Sequence, residues 1–334
     1  MVSYSTLEQF GHYDTWGDYV PSVNETSTEN SSKANNKETS GLIKTCWLNQ
    51  FSALKIYGPD AERFLQGQLT CNLSDINSEA NRNTVHYGAC CTAKGRIVAN
   101  FNISFDGENY WLILPTKSAD ILDKHLQKYK VFFKATIENC KQSHLVLGQW
   151  LDTETTEISD NDITQKLIIS NNRQMLIIED QTADDQSFDF IPTLEWQLAN
   201  IADGIYFIDH DQHEQWIPQH INWHKLEGIS FSKGCYTGQE IIARLQYLGK
   251  IKKALYHYSA IAETTSLEQT TIEQTATQLF DSQGKSQGHV VMQRNGEILA
   301  VLNGENPDVC LYLSDSKDFP LTLQNLPYTD KKDV

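Results

Sequence analysis

Alternating and helical spacings of hydrophobic residues divide the chain into three regions of mixed structure behind a polar N-terminal segment. Alternation predicts strands, and apolar positions repeating every three to four residues predict amphipathic helices. The predicted strands are 53–57, 110–114, 129–138, 144–147, 166–169 and 174–178, with a turn and a strand over 92–105 and helices over 118–129 and 193–202. Because strands and helices follow one another in mixed order, the pattern predicts an α+β fold rather than a doubly wound parallel sheet.

Three modules are expected, with boundaries placed at 43–139, 140–249 and 250–334. The last module contains short alternating strands near 254–259, 278–280, 288–293, 297–302 and 309–314. Turn residues separate these strands, which indicates a small antiparallel β-barrel.

Residues 1–42 are expected to form a polar, disordered tail. Segment 22–40 contains one Val and one Ala as its only apolar residues, so it cannot offset its ordering entropy and is predicted to be disordered. Four aromatic residues precede this segment and could dock on the folded part: Tyr4, Phe10, Tyr13 and Trp16.

The run KGCYTGQE, from Lys233 to Glu240, is the stretch of the chain least expected by chance. Glycines this close together are typical of backbone with positive φ or of close backbone approach. Helical spacing follows the run, so a helix is predicted to begin near Gly238 and to end at Gly249. Thr237, three residues before Glu240, fits a capping box.

Cys235 lies just before this predicted helix, and Lys233 stands two residues upstream. Both features favour a thiolate over a thiol. The alternative is a buried cysteine that packs as a small hydrophobic residue. Its position in a loop between two glycines favours the reactive thiol.

Composition excludes several classes of protein. The net charge of −16 argues against a general nucleic-acid binder, although local lysine clusters could contact an anionic ligand. No apolar run approaches the ~20 residues of a membrane span, and the N-terminus lacks secretory features, so a cytoplasmic location is expected. Seven cysteines without a CxxC pair argue against zinc, disulfide and iron–sulfur ligand sets.

His220 and His224 have a spacing that metals use on a helix, but a third ligand is missing nearby. A Cys–His pair with Cys235 is a second possibility. Ordinary surface or core histidines are the third.

The run SFSKGCYTGQEIIAR resembles the signature of the YgfZ family of folate-binding, tRNA-modifying proteins, which is itself similar to the T-protein of the glycine cleavage system. QGQLT (66–70) and YKVFFKATIE (129–138) also resemble family elements, and the likeness extends over about 43–328. The resemblance implies a three-module, T-protein-like arrangement with a C-terminal barrel. It also implies binding of tetrahydrofolate or a derivative, with iron–sulfur tRNA-modifying enzymes as partners that the protein helps to maintain.

The same resemblance implies site residues. Cys235 is the residue expected to carry activity, and Trp196 matches one of two tryptophans associated with folate. Phe51 stands where the other would fall and keeps a stacking face without the indole N–H. The remaining expected contacts, to the loop or to an anionic partner, are Lys233, Tyr236, Gln239 and Arg244.

The T-protein strand that carries an acidic pair corresponds here to Ala99 and Asn100, and residues 87–105 contain no carboxylate. General acid–base assistance of about 10²–10⁴-fold is therefore missing at that position, and glycine-cleavage turnover is not expected. A folate-dependent one-carbon transferase is kept as the alternative. A third hypothesis is an assembly scaffold that needs no folate.

Overall fold

A computed structural model describes residues 11–14, 17–22, 43–151, 164–170, 172–180, 189–260, 277–304, 310–313 and 320–328. In chain order the described strands are β1 Gly11–Tyr13, β2 Tyr19–Pro21, β3 Lys44–Trp47, β4 Phe51–Tyr57, β5 His86–Cys91, β6 Ile97–Phe105, β7 Tyr110–Pro115, β8 Thr136–Asn139, β9 His144–Trp150, β10 Gln165–Ser170, β11 Arg173–Glu179, β12 Asp189–Phe190, β13 Lys253–Ala260, β14 Gln278–Asp281, β15 Ser286–Arg294, β16 Glu297–Asn303, β17 Leu311–Tyr312 and β18 Pro320–Gln324. The α-helices are α1 Ala61–Gln66, α2 Leu73–Ile76, α3 Thr116–Lys130, α4 Thr193–Ala202 and α5 Gln239–Tyr247. Short 3₁₀ turns lie at Glu79–Asn81, His210–Gln212 and Pro218–Ile221.

The first sheet has five strands in the order β5-β6-β7-β4-β8 and is antiparallel throughout. Helix α3 covers it, because Ala119, Leu122 and Leu126 repeat at helical spacing and are fully buried. They pack with Phe64 and Phe101 in one hydrophobic cluster.

The second sheet has the order β10-β11-β9-β3-β12. Its strand β3 comes from the start of the chain and pairs antiparallel with β9 and parallel with β12. Side chains of both sheets share a further cluster, in which Trp111 and Ile113 of the first sheet meet Val146 and Ile177 of the second. Helix α4 adds Trp196 to this cluster and so closes one side of the space between the sheets.

The C-terminal region forms a closed barrel of six strands in the order β13-β16-β15-β14-β17-β18, with every pair antiparallel. Its interior contains Tyr258, Leu279 and Ile298, each fully buried or nearly so. The predicted α+β fold with a C-terminal barrel is confirmed. Strand β18 was not among the predicted strands, and it begins at a proline, which offers no backbone N–H.

Part of the expected polar tail is ordered. Strands β1 and β2 pair as a hairpin, and Tyr19 is buried with its ring centroid 5.2 Å from that of Trp47. The Thr193 hydroxyl donates to Trp47 O at 2.7 Å and lies 3.3 Å from Tyr19 O. Of the four aromatic residues predicted to dock, Tyr13 is described, and its ring centroid lies 6.3 Å from that of Trp47 in the second sheet. Tyr4, Phe10 and Trp16 lie outside the described residues, as do residues 23–42 of the segment where disorder was predicted.

The structure also differs from the prediction at two strands of the first sheet, β8 and β5. The strand predicted over 129–138 is present only from Thr136, because α3 runs to Lys130 and a turn follows in which Phe133 N donates to Lys130 O. Strand β5 was not predicted, since it is buried along one run of Gly, Ala and Cys that shows no alternation.

Candidate functional site

The signature segment is attached to the QGQLT loop of the first region by a series of hydrogen bonds. Thr237 N donates to Gly67 O at 3.1 Å, and Ser230 N donates to Thr70 O at 2.9 Å. The Thr70 hydroxyl donates to Gly228 O at 2.6 Å and accepts from Ala89 N at 2.9 Å. Two elements that resemble family motifs, more than 150 residues apart in sequence, therefore form one unit.

Lys233 makes two further hydrogen bonds across this contact. Its side chain is buried, and Nζ donates to Leu69 O at 2.9 Å and to Cys71 O at 2.7 Å. Burial lowers the pKa of the Lys233 ammonium to about 8, while the neighbouring Cys71 acts in the opposite direction. The ammonium also lies 5.2 Å from the centroid of the Tyr236 ring. Lys233 is thus committed to two backbone carbonyls, and its first role is to hold the loop.

Tyr236 is buried beneath the signature loop, and its hydroxyl has no hydrogen-bond partner among the described residues. Burial is the main cause that raises the pKa of this phenol, with Cys91 and Cys71 adding to it. Tyr236 therefore stays protonated and serves as packing for the loop.

Helix α5 begins at Gln239 with Gly238 as its N-cap residue. Gly238 has φ +86°, and a Cβ placed there would lie 2.5 Å from Thr92 O. Only glycine combines this left-handed backbone with so close an approach. The predicted capping box is wrong, because the N-cap is Gly238 rather than Thr237 and no side chain caps the helix. Gly249 does end the helix, donating to Arg244 O at 3.0 Å.

Cys235 is exposed at the tip of the loop. A Cβ added at the neighbouring Gly234 would meet no other atom within 4 Å, so the loop is open on that side. Gln239 is half-buried at the start of α5, and Arg244 is exposed one turn further along. The packing alternative for Cys235 is therefore wrong, because the residue faces solvent.

A separate pocket lies between the two sheets and contains about 280 Å³ of empty space, its open mouth included. Four aromatic and four aliphatic side chains form its walls, and two amide side chains supply polar groups. The lining residues are Leu48, Phe51, Tyr87, Asn102, Ile169, Met175, Trp196, Asn200, Ile205 and Phe207. Pockets of this make-up suit flat ligands with a polar edge.

Phe51 and Trp196 stand at the two positions that the resemblance associates with folate, and both line this pocket. Phe51 is half-buried and meets Phe207 edge to face, with centroids 5.4 Å apart. Trp196 is 3 % exposed, since Trp150 packs on it edge to face and the Arg173 guanidinium lies 5.1 Å from its ring centroid. Trp196 thus forms a rigid wall, and Phe51 offers the more accessible ring.

The signature residues do not line this pocket. Strand β5 connects the two places, because Tyr87 lines the pocket and Cys91 lies against Gly238 at the start of α5. Four residues of strand span about 13 Å. The structure therefore contains two neighbouring features, an aromatic pocket and a cysteine loop, joined by one strand.

Asn100 has a structural role at the position where the T-protein strand carries its acidic pair. Its amide Nδ2 donates to Tyr206 O at 2.8 Å, and its Oδ1 accepts from Ile208 N at 2.8 Å. Since the residue is buried, both ends of the amide are used to hold segment 206–208. A carboxylate could accept but could not donate to Tyr206 O.

The structure does not support the hypothesis of a metal site at His220 and His224. Within the described ranges, no group of three His, Cys, Asp or Glu residues comes together as a metal site. His220 lies in a 3₁₀ turn against Trp216, and Asn222 with φ +56° breaks the helix that the HxxxH spacing required. Burial lowers the pKa of His220 to about 4, helped by Lys253 and Arg96, so this imidazole is neutral.

Several lining residues were not predicted from sequence. Asn102 is one of three polar residues, with Asn100 and Ser104, that alternate with apolar residues along β6, and this alternation is a signal that the sequence offered. Tyr87, Asn200 and Phe207 carry no local pattern, since they meet only when the two sheets face each other.

Comparison with known proteins supports the resemblance over most of the chain, although no family model matches it. It is 28 % identical over 302 residues to the tRNA-modifying protein YgfZ of Colwellia psychrerythraea, covering 84 % of this chain and 92 % of that protein. The YgfZ proteins of Yersinia enterocolitica and Pectobacterium carotovorum are 28 % and 29 % identical, over 86 % and 84 % of this chain and 92 % and 90 % of theirs.

Among solved structures, the chain is similar to the glycine cleavage system aminomethyltransferase T from Bartonella henselae, with a TM-score of 0.63 and 11 % sequence identity. The match covers 88 % of both chains and shows a shared fold. The resemblance to the YgfZ family and the T-protein-like arrangement are thus confirmed. Among the described residues, no helix is long and apolar enough to cross a membrane.

Proposed function

We propose that this protein binds a reduced folate and supports tRNA modification through Cys235. The observation that carries the proposal is the signature loop, which holds an exposed thiol on a buried framework of hydrogen bonds. A loop whose only outward reactive group is a cysteine fits a role that depends on that sulfur. The relatives that match over most of the chain are named tRNA-modifying proteins, which supports the direction of the proposal.

The proposal that the protein binds a reduced folate rests on the pocket between the two sheets. Ring faces and amide groups lie close together there. These groups suit the flat heterocycle of tetrahydrofolate. Asn102 and Asn200 would hold its polar edge, while Phe51 and Phe207 would pack against the ring. A bound folate would supply a one-carbon carrier there.

Maintenance of iron–sulfur tRNA-modifying enzymes is the finer part of the proposal. An exposed thiol at the tip of the loop can reach a partner's surface, whereas the buried cysteines cannot. We expect the partners to be such enzymes and the location to be the cytoplasm. General nucleic-acid binding is not proposed, because the net charge is −16.

The test compares Cys235→Ala with Cys310→Ala, since Cys310 is the other exposed cysteine of the described chain and lies at the barrel. In a strain lacking its own YgfZ relative, Cys235→Ala is expected to leave thermal stability unchanged and to abolish restoration of modified nucleosides in tRNA. Cys310→Ala is expected to restore them fully. Full rescue by Cys235→Ala would remove the thiol from the function.

Folate binding is tested by fluorescence titration with tetrahydrofolate. We expect Trp196→Ala to weaken binding more than Phe51→Ala, because loss of a 3 %-exposed wall opens the pocket while loss of the half-buried ring removes one contact. Equal losses would contradict this assignment of the two residues. Absence of binding by the intact, folded protein would favour the scaffold that needs no folate.

The second candidate, a folate-dependent one-carbon transferase, is favoured by the fold alone. Strand β6 offers no acid or base, since Ala99 is packed in the core and both ends of the Asn100 amide are occupied. We therefore expect no folate-dependent formaldehyde or methylene transfer by the purified protein. Robust turnover in that assay would replace the binding-protein proposal.

A further inference from the structure

The helix that follows Cys235 exposes large apolar side chains. Helix α5 is anchored by Ile242, which is fully buried, while Tyr247 is 65 % exposed and Leu248 84 % exposed. Ile241 and Arg244 are also exposed, and spacings of three, four and seven residues place them on the same side as Leu248. Isolated exposed apolar residues are ordinary, but a group on one helix face marks an interaction surface.

The segment that carries this face is positively charged, in contrast to the molecule as a whole. Residues 238–253 contain four lysine or arginine residues and one acidic residue, Glu240, although the whole chain carries −16. The turn at 92–96 packs on the start of the helix, because a Cβ on Gly95 would lie 3.1 Å from the Ile241 side chain. That turn adds Lys94 and Arg96 beside the face and contains no carboxylate.

We propose that this surface docks a partner protein through an acidic patch that surrounds an apolar pocket. The docking face consists of Ile241, Arg244, Tyr247 and Leu248, with Lys94 and Lys252 at its rim. Arginine and tyrosine are, with tryptophan, enriched among the residues that dominate binding energy at protein interfaces. Cations at the rim attract a carboxylate-rich surface and fix its orientation. The inference rests on the proposed function, since a partner seated here lies beside the helix that follows Cys235.

A protein fits this face better than RNA does. Ile241 and Leu248 are aliphatic and fill pockets, whereas recognition of unpaired bases uses exposed ring faces. The one large ring of the face, Tyr247, already packs against Phe231 with centroids 5.9 Å apart at an interplanar angle of 73°. The arrangement therefore favours insertion of side chains into a partner's pocket.

The experiment places a photo-crosslinking amino acid at position 247 of the full-length protein in cells, with position 168 as the control. Ile168 is 42 % exposed on β10 of the second sheet, so it controls for crosslinking at an exposed apolar residue outside the docking face. Adducts are identified by mass spectrometry. We expect protein adducts at 247 but not at 168, joined through peptides rich in Asp and Glu, with a yield at least fivefold lower in 0.5 M salt lysate.

Charge reversal supplies the matched control. Lys94→Glu with Lys252→Glu is expected to lower the adduct yield at least fivefold. Lys166→Glu with Lys285→Glu makes the same change in net charge on β10 and in the β14–β15 turn, where both lysines are exposed, and is expected to leave the yield unchanged. Equal losses in the two double variants would overturn the proposal. So would adducts to RNA, adducts to a second copy of this chain, or no adduct at 247.

Leu248→Asp separates this inference from the proposed function. The variant is expected to keep folate binding and labelling of Cys235 by a thiol reagent, and to lose restoration of tRNA modification. Full restoration by Leu248→Asp would overturn the docking face while leaving the proposed function intact. Full restoration by Cys235→Ala would instead overturn the proposed function, with crosslinking at 247 still able to report the partner.

Discussion

Lys233 shows at the residue scale how a signature residue can act through structure. Its ammonium is buried and donates to Leu69 O and Cys71 O, and burial lowers its pKa to about 8 from an ordinary value near 10.5. In the unfolded chain the amine keeps its proton up to the ordinary pKa. Between pH 8 and 10.5 the unfolded state therefore binds more protons, and this group makes stability rise with pH.

We predict that the stability advantage of the native protein over Lys233→Met grows between pH 8 and 10, by up to about 3 kcal/mol. Urea unfolding of both proteins at pH 7, 8, 9 and 10 measures it, and other titrating groups cancel in the difference. At pH 7, Lys233→Met leaves two buried carbonyls without a donor, at a cost of roughly 1–3 kcal/mol each. A difference that is flat or falling above pH 8 would show that the amine is not desolvated.

Asn100 makes a second prediction at this scale. Asn100→Asp keeps an acceptor for Ile208 N but replaces the donor to Tyr206 O with a buried carboxylate oxygen. We expect a loss of about 2–4 kcal/mol at pH 7, measured by urea unfolding, and no gain of one-carbon transfer. Ser104→Ala, at another fully buried polar position of β6, is the control and is expected to cost much less. A stable, active Asn100→Asp variant would contradict both expectations.

At the scale of elements, the start of α5 depends on one glycine. Gly238 has φ +86° and approaches Thr92 O, whereas Gly234 in the same loop has neither a positive φ nor a close neighbour. Gly238→Ala is predicted to cost about 2 kcal/mol or more and to impair function by shifting the loop. Gly234→Ala is predicted to stay within about 0.5 kcal/mol of the native protein in thermal unfolding. Equal effects would show that the loop, not the helix start, needs glycine.

The elements also show which features local sequence could predict. Helix α4 was predicted with its observed bounds, 193–202, because the helical spacing lies within the segment and a glycine stop, Gly204, follows two residues after it. The contact between Thr70 and Gly228 could not be predicted, since no pattern within one segment reports a hydrogen bond over 158 positions. The N-cap was predicted at the wrong residue, because tertiary contact with Thr92 O decides where α5 begins.

At the scale of the whole molecule, a buried carboxylate joins three regions that are distant in sequence. Asp18 of the N-terminal hairpin is 1 % exposed and accepts from Gln50 Nε2 at 2.7 Å and from Gln197 Nε2 at 2.6 Å. Its second oxygen lies 3.5 Å from Nε of Arg294 on barrel strand β15. Gln50 and Gln197 directly neighbour Phe51 and Trp196 of the pocket wall, so the hairpin supports the pocket from behind.

We predict that Asp18→Ala costs about 2–4 kcal/mol and weakens tetrahydrofolate binding, because two buried amide donors and Arg294 lose this shared acceptor. Asp18→Asn retains an acceptor and is expected to recover most of both losses. Burial raises the pKa of Asp18, with Arg294 opposing it, so the folded state holds this proton to higher pH than the unfolded state. The stability of the native protein relative to Asp18→Asn should therefore fall as pH rises from 4 through the folded pKa. Urea unfolding from pH 4 to 7 checks this sign, and a rise would mean that the ion pair with Arg294 outweighs burial.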